Sequence, residues 1–264
     1  MAQVSERKLI YANEIVPGDR SGGTVRGQTI IVHDLVQLLQ AVSRDADASV
    51  YELAVLEDNV LGKETIEARR LALRNLRNLY LLRPDSILFR ALHDLWTDDV
   101  SGQPLLAGLC AAARDAVFRA SAGALYDANP GDSLTSADFA NAVDEVFPGV
   151  YNGSTLATIS RNTFSSWEQV GHLEAAARTE KLRRRPVCTP ATTAYALLLG
   201  HLSGTRGEAL FDTVWVRILD RPRPHLFELA TVASQRSLID FRHSGGVVEI
   251  GFTELLRAMD GQLL

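Results

Sequence analysis

Residues Leu105 to Ala113 form the longest apolar run in the chain, entered at Pro104 and closed by Arg114. At 1.5 Å of rise per helical residue, this run is far too short to cross a bilayer. The Ala- and Leu-rich character continues to residue 126, so the pattern predicts one long, largely buried helix over 104–126. A helix that is apolar on nearly every side is stable only when other elements surround it. The chain is therefore expected to be a helical assembly built around this segment. Hydrophobic residues, at 46% of 264, supply enough apolar surface for such a core and exclude wholesale disorder.

The rest of the pattern supplies the neighbours. Residues 1–30 read as an extended or turn-rich arm, punctuated by Pro17-Gly18 and Ser21-Gly22-Gly23. A helix is predicted over 30–43, with Ile31, Leu35, Leu38, Leu39 and Val42 on one face. A second fits 49–60, with Ser49 as its N-cap. The third, 64–81, carries Ile66, Leu73, Leu76 and Tyr80 on one side and Arg70, Arg74 and Arg77 on another, with Arg69 beside them. Pro84 separates it from a helix at 85–96.

Beyond a turn at 129–133, helices are expected from Thr135-Ser136 to Phe147 and from 155 to 170, the latter closing at Gly171. Leu173 to Thr189 reads as a β-hairpin or flexible wing. Helices at 191–203, 208–219 and 224–237 follow, then a two-strand hairpin around Ser244-Gly245-Gly246 and a short helix at 253–260. The expected fold class is mainly α. It comprises a bundle-like N-terminal region to residue 150, a winged-helix-like unit at 151–190 and a second at 191–264, both winged units built on short hairpins.

Catalytic signatures are missing from the pattern. The histidines at 33, 93, 172, 201, 225 and 243 form no HxH or HExxH spacing, so no metal or other cofactor is expected. His172 and His201 flank apparent helix ends and read as capping or core residues. Leu61-Gly62-Lys63-Glu64-Thr65 only faintly resembles a phosphate-binding loop, because Glu57 and Glu64 stand where that motif needs Gly and Ser or Thr. No GxSxG elbow occurs. Cys110 and Cys188 have no CxxC spacing, and Met1 to Lys8 contains no apolar signal core, so a reducing, cytoplasmic compartment is expected.

Charge patterning is more informative. The net charge of −5 argues against nucleic acid as a partner. That total hides a segregation: residues 61–90 carry a net +4 and residues 161–185 a net +3, whereas 1–60 carry −4 and 91–160 carry −7. In the second basic island, the predicted helix 155–170 offers Thr155, Thr158, Arg161, Asn162 and Ser165 on exposed positions, side chains suited to phosphates and base edges. The run Lys181-Leu182-Arg183-Arg184-Arg185 follows it. A helix and then a basic hairpin is the layout of a winged helix-turn-helix, with the helix in the major groove and the wing on the backbone. In the first island, Arg70, Arg74 and Arg77 either track phosphates or pair with the acidic body.

Three stretches resemble the BrxA family of bacterial BREX phage-resistance systems. They are Glu57-Asp58-Asn59-Val60-Leu61-Gly62-Lys63 leading into the arginine helix, Thr163 through Leu173, and Gly207 through Thr213 continuing to Phe241–Phe252. The resemblance implies a non-enzymatic, mostly helical protein that binds double-stranded DNA beside a DNA methyltransferase, a phosphatase-like protein and an ATPase, with no membrane attachment. On that reading Thr158, Arg161, Asn162, Thr163 and Ser165 lie toward the groove, and Lys181, Arg183, Arg184 and Arg185 lie on phosphates. The other readings are a protein–protein scaffold of the same kind of complex, favoured by the acidic block 91–160, and a winged-helix transcriptional regulator.

Overall fold

A computed structural model describes residues 14–177, 179–244 and 247–257. Among them the chain is mainly α, with two small antiparallel sheets and two 3-10 turns, at Thr24–Arg26 and Gly207–Asp212. The first half holds α1 (Val32–Ala41), α2 (Ala48–Leu56), α3 (Ile66–Tyr80), α4 (Ile87–Trp96), α5 (Gln103–Arg114), α6 (Ala116–Ser121) and α7 (Gly123–Tyr126). Strand β1 (Ser133–Thr135), α8 (Ser136–Val146), α9 (Gly153–Val170), β2 (Leu173–Ala175) and β3 (Glu180–Arg183) follow. The chain continues through α10 (Pro190–Leu202), α11 (Val214–Ile218), α12 (Arg223–Gln235), β4 (Asp240–Ser244) and β5 (Val247–Gly251).

Helix α5 is the expected centre. Leu105 through Ala113 are all buried, and α2 apart, the other long helices of the first half pack around it. Gly108 is the point of closest approach to α9: a Cβ there would press to within 2.7 Å of the Val170 methyl groups. The α9 axis is thereby held tight against the core.

Helix starts follow their sequence signals. Thr65 caps α3 through Ala68 N–H, Thr135 and Asp138 form a reciprocal capping box on α8, Asn152 caps α9 and Thr189 caps α10. Helix α9 ends at Gly171 in the left-handed region, as its position implied.

Other expectations are corrected. The helix read over 104–126 is broken at Asp115, whose backbone is extended. Its carboxylate accepts from Val117 N–H and Phe118 N–H at 3.0 and 2.9 Å, so the same residue ends α5 and caps α6. Ser49 lies inside α2, which starts after Asp47 without a side-chain cap. The helix read over 208–219 is a 3-10 turn and a short α11, separated where extended Thr213 caps Val216 N–H. Residues 253–256 form turns rather than a helix, and Gly245, Gly246 and 258–264 lie outside the described residues.

The wing region contains a strand that the pattern did not reveal. β1 pairs antiparallel with β3, with Ser133 opposite Leu182, and β2 pairs with the other edge of β3. The sheet order β1–β3–β2 puts the basic strand in the middle. From α6 to β3 the order is two short helices, a strand, two helices and two strands, a winged-helix order when α6 and α7 count as its first helix. The sheet crosses the boundary read at residue 150, and one continuous apolar core joins both halves of the chain. The second hairpin, β4–β5, follows α12 and packs on it.

Candidate nucleic-acid interface

Helix α9 is the candidate groove-reading helix. Ile159, Phe164 and Trp167 face the core, Trp167 stacking on Phe118 at a centroid distance of 4.4 Å. Its opposite face is shared between solvent and residues 25–32. Asn162 donates to Val25 carbonyl at 2.9 Å, Ser166 accepts from Ile30 N–H at 3.1 Å and Gln169 accepts from Val32 N–H at 3.0 Å. The arm therefore covers the C-terminal half of the helix. Asn162 is committed to this contact and does not reach toward a groove. Thr163 is fully buried and donates back to Ile159 carbonyl, so it too is corrected from groove contact to core. Ser165 is half-buried.

The first turns of α9 remain open. Arg161 is exposed, and its guanidinium donates only to Thr158 hydroxyl, at 3.1 Å. Across a shallow groove of about 480 Å³ from Ser154, Thr155 and Thr158 stands Arg26, on the turn Thr24–Arg26. The Arg26 guanidinium lies over the Tyr151 ring, 5.8 Å from its centroid. Tyr151 hydroxyl donates to Ser21 carbonyl, and Asp115 accepts from Val25 N–H at 3.0 Å, so the turn is pinned at both ends. Burial raises the Asp115 pKa while its backbone N–H partners pull it back down. Gly23 is required here, because a Cβ at that position would collide with the Asp115 carboxylate.

The wing itself is turned inward. Arg183 is 2% exposed, pairs with Asp220 at 2.9 Å and donates to Leu125 carbonyl at 3.3 Å. Burial lowers its pKa, and Asp220 offsets part of that shift. Lys181 pairs with Glu168 at 2.7 Å and sits 4.2 Å from the centroid of the Phe164 ring. Both are corrected from phosphate contacts to structural ion pairs. Arg184 is exposed but pairs with Glu174 at 2.5 Å. Arg185 alone of the run is exposed without a carboxylate partner among the described residues.

The first island divides in a similar way. Arg77 pairs with Glu52 at 2.8 Å, and Arg69 donates to Leu56 carbonyl. Arg70 and Arg74 are exposed and carry no carboxylate partner among the described residues. Arg74 borders a cleft that shares Gly23 and Gly27 with the α9 groove, and a further hollow shared with that cleft reaches Arg70. The two basic islands are thus joined across the arm into one surface, Arg161–Arg26–Arg74–Arg70. The sequence pattern missed Arg20 and Arg26; their signal was a glycine-rich turn flanked by arginines, Arg20 to Gly27.

His172 and His201 are held inside the fold, against Ile218 and Phe252. His172 is buried, and Ile218 carbonyl, at 2.8 Å, requires the proton on Nε2. Burial and the nearby Arg183 guanidinium hold its pKa down at about 3. His201 is likewise held at about 4 by burial and Arg206. Cys110 is buried with its thiol pushed up to about 12. No group of side chains suited to a metal ion, and no helix long and apolar enough to cross a membrane, occurs among the described residues. No family model, curated protein or solved structure matches the chain, so the reading of this surface rests on its own residues.

Proposed function

We propose that this chain binds double-stranded DNA without catalysing a reaction, presenting the first turns of α9 to the duplex and the arginine track to its phosphates. One observation carries the reading: Arg26, Arg70, Arg74 and Arg161 lie without carboxylate partners among the described residues on one continuous surface of a net acidic molecule. Guanidiniums left unpaired beside hydroxyl-bearing Thr155 and Thr158 suit phosphate oxygens and base edges. The acidic remainder repels DNA elsewhere, which favours one docking orientation.

The three stretches that resemble BrxA support an accessory role in a BREX-type defence complex, beside its methyltransferase, phosphatase-like protein and ATPase. A labelled duplex titrated at several salt concentrations tests the binding. If all four arginines contact phosphates, log K falls with log salt at a slope of roughly −4. Replacing Arg26 and Arg161 by Ala then reduces the slope by about 2. An unchanged slope and affinity overturn the assignment.

A scaffold role is the second reading, favoured by the internal pairing of Lys181, Arg183 and Arg184. It predicts no duplex binding even at low salt, together with co-purification of large partner proteins.

A further inference from the structure

We propose that the cleft between residues 16–28, α3 and α5 binds a small phosphorylated ligand of nucleotide size, with Arg20, Arg74 and Arg114 on its phosphoryl groups. The cleft has a volume of about 710 Å³, within the usual range for small-molecule sites. No carboxylate of the described residues lines it. Arg20 and Arg74 are exposed and have no carboxylate partner among the described residues.

Arg114 is half-buried and fixed in place by donating to Glu14 and Asn78 carbonyls, the latter at 3.3 Å. Those bonds orient its fork but neutralise none of its charge. The Glu14 carboxylate is the acidic group nearest to it in electrostatic effect, and it is occupied by Ser86 hydroxyl and by Ile87 and Leu88 N–H at the start of α4. Burial lowers the Arg114 pKa most, Cys110 and Glu14 oppose that shift, and Arg83 and Arg20 add to it, which places Arg114 beside other cations. Planar guanidiniums bind phosphate oxygens in bidentate fashion, which suits them to this chemistry.

A second observation points the same way. Asn75 lines the cleft, is 8% exposed, and its side-chain amide has no hydrogen-bond partner among the described residues. The amide opens onto the cleft, where a ligand hydroxyl or ring nitrogen can pair with it. Leu71 and Val16 supply an apolar wall for the remainder of such a ligand. At Gly22 and Gly27 no atom stands within 4 Å of where a Cβ would be, which keeps the rim open.

This inference does not rest on duplex binding, although Arg74 borders both surfaces. Arg20 and Asn75 belong to the cleft alone and separate the two. The test is calorimetric titration of the full chain with ATP and, separately, with inorganic pyrophosphate at low salt. Saturable one-site binding of ATP is expected, weakened roughly tenfold or more in Arg20→Ala and in Asn75→Asp. Thermal unfolding and duplex affinity should stay unchanged in Arg20→Ala. Pyrophosphate binding as well would show that the phosphoryl groups suffice, and ATP binding alone would show that the amide and apolar wall contribute. The proposal is overturned if neither compound binds saturably. It is equally overturned if both variants bind as the parent does, or if Arg26→Ala with Arg161→Ala abolishes the signal while Arg20→Ala leaves it intact.

Discussion

The wing and the arm both carry arginines, and the fold uses them in opposite ways. In the wing, Lys181, Arg183 and Arg184 each meet a carboxylate, and Arg183 is buried under α7 and α11 by its bonds to Leu125 and Asp220. Along the arm, Arg20 and Arg26 meet none among the described residues, while Asp115 accepts from backbone N–H groups. A run of basic residues therefore does not make a basic surface. What matters is whether the partner acid lies within reach of the side chain or is already occupied by main-chain donors.

The largest test of this contrast is Arg183→Ala. It leaves Asp220 and a buried carbonyl without their partner, and a loss of about 3–5 kcal/mol in denaturant unfolding is expected. A loss below about 1 kcal/mol would break the claim that the wing arginine is structural. Next is Asp115→Ala, which strands Val25, Val117 and Phe118 N–H groups and should cost about 2–3 kcal/mol. It should also weaken duplex binding, because the turn that holds Arg26 loses its tether.

A graded effect is expected from His172. Its folded pKa of about 3 lies below the ordinary value of 6.5, so the unfolded chain takes up a proton that the folded chain refuses. Stability contributed by the neutral ring is complete above about pH 6.5 and falls as pH drops toward 3. Unfolding followed across that window should show a flatter dependence in His172→Gln, and an identical slope would remove His172 from the account. The smallest effect on stability belongs to Arg26→Ala with Arg161→Ala, within about 0.5 kcal/mol, since neither side chain anchors anything in the fold. Its signature is the lowered salt slope, whereas Lys181→Ala should leave that slope unchanged.

Much of the fold was legible because its signals are local. Thr135 marks a helix start through a bond that spans three residues, and Gly171 marks an end through its left-handed backbone. The breaks at Asp115 and Thr213 were hidden because the apolar pattern runs through them; only the side-chain caps reveal a change of helix. Strand β1 was hidden because Ser133-Leu134-Thr135 has no alternation long enough to read, and Ser133 pairs with Leu182, 49 residues on in sequence. In the site, Arg161, Arg70 and Arg74 were legible as exposed helical positions. Lys181 and Arg183 were misread because Glu168 and Asp220 come close only after α9 and α11 pack. The covering of Asn162 could not be read at all, since the carbonyl that accepts from it belongs to the arm.

That last contact has a temporal consequence. The bonds from Ile30 and Val32 to α9 span 136 and 137 residues, and Asn162 reaches Val25 across 137. Contacts of such separation close late, after the entropy of the intervening loop has been overcome. During synthesis the arm leaves the ribosome long before α9 exists. Arg26 therefore takes its position beside Arg161 only near the end of folding, and a chain arrested before α9 would carry Arg26, Arg70 and Arg74 without the surface that Arg161 completes.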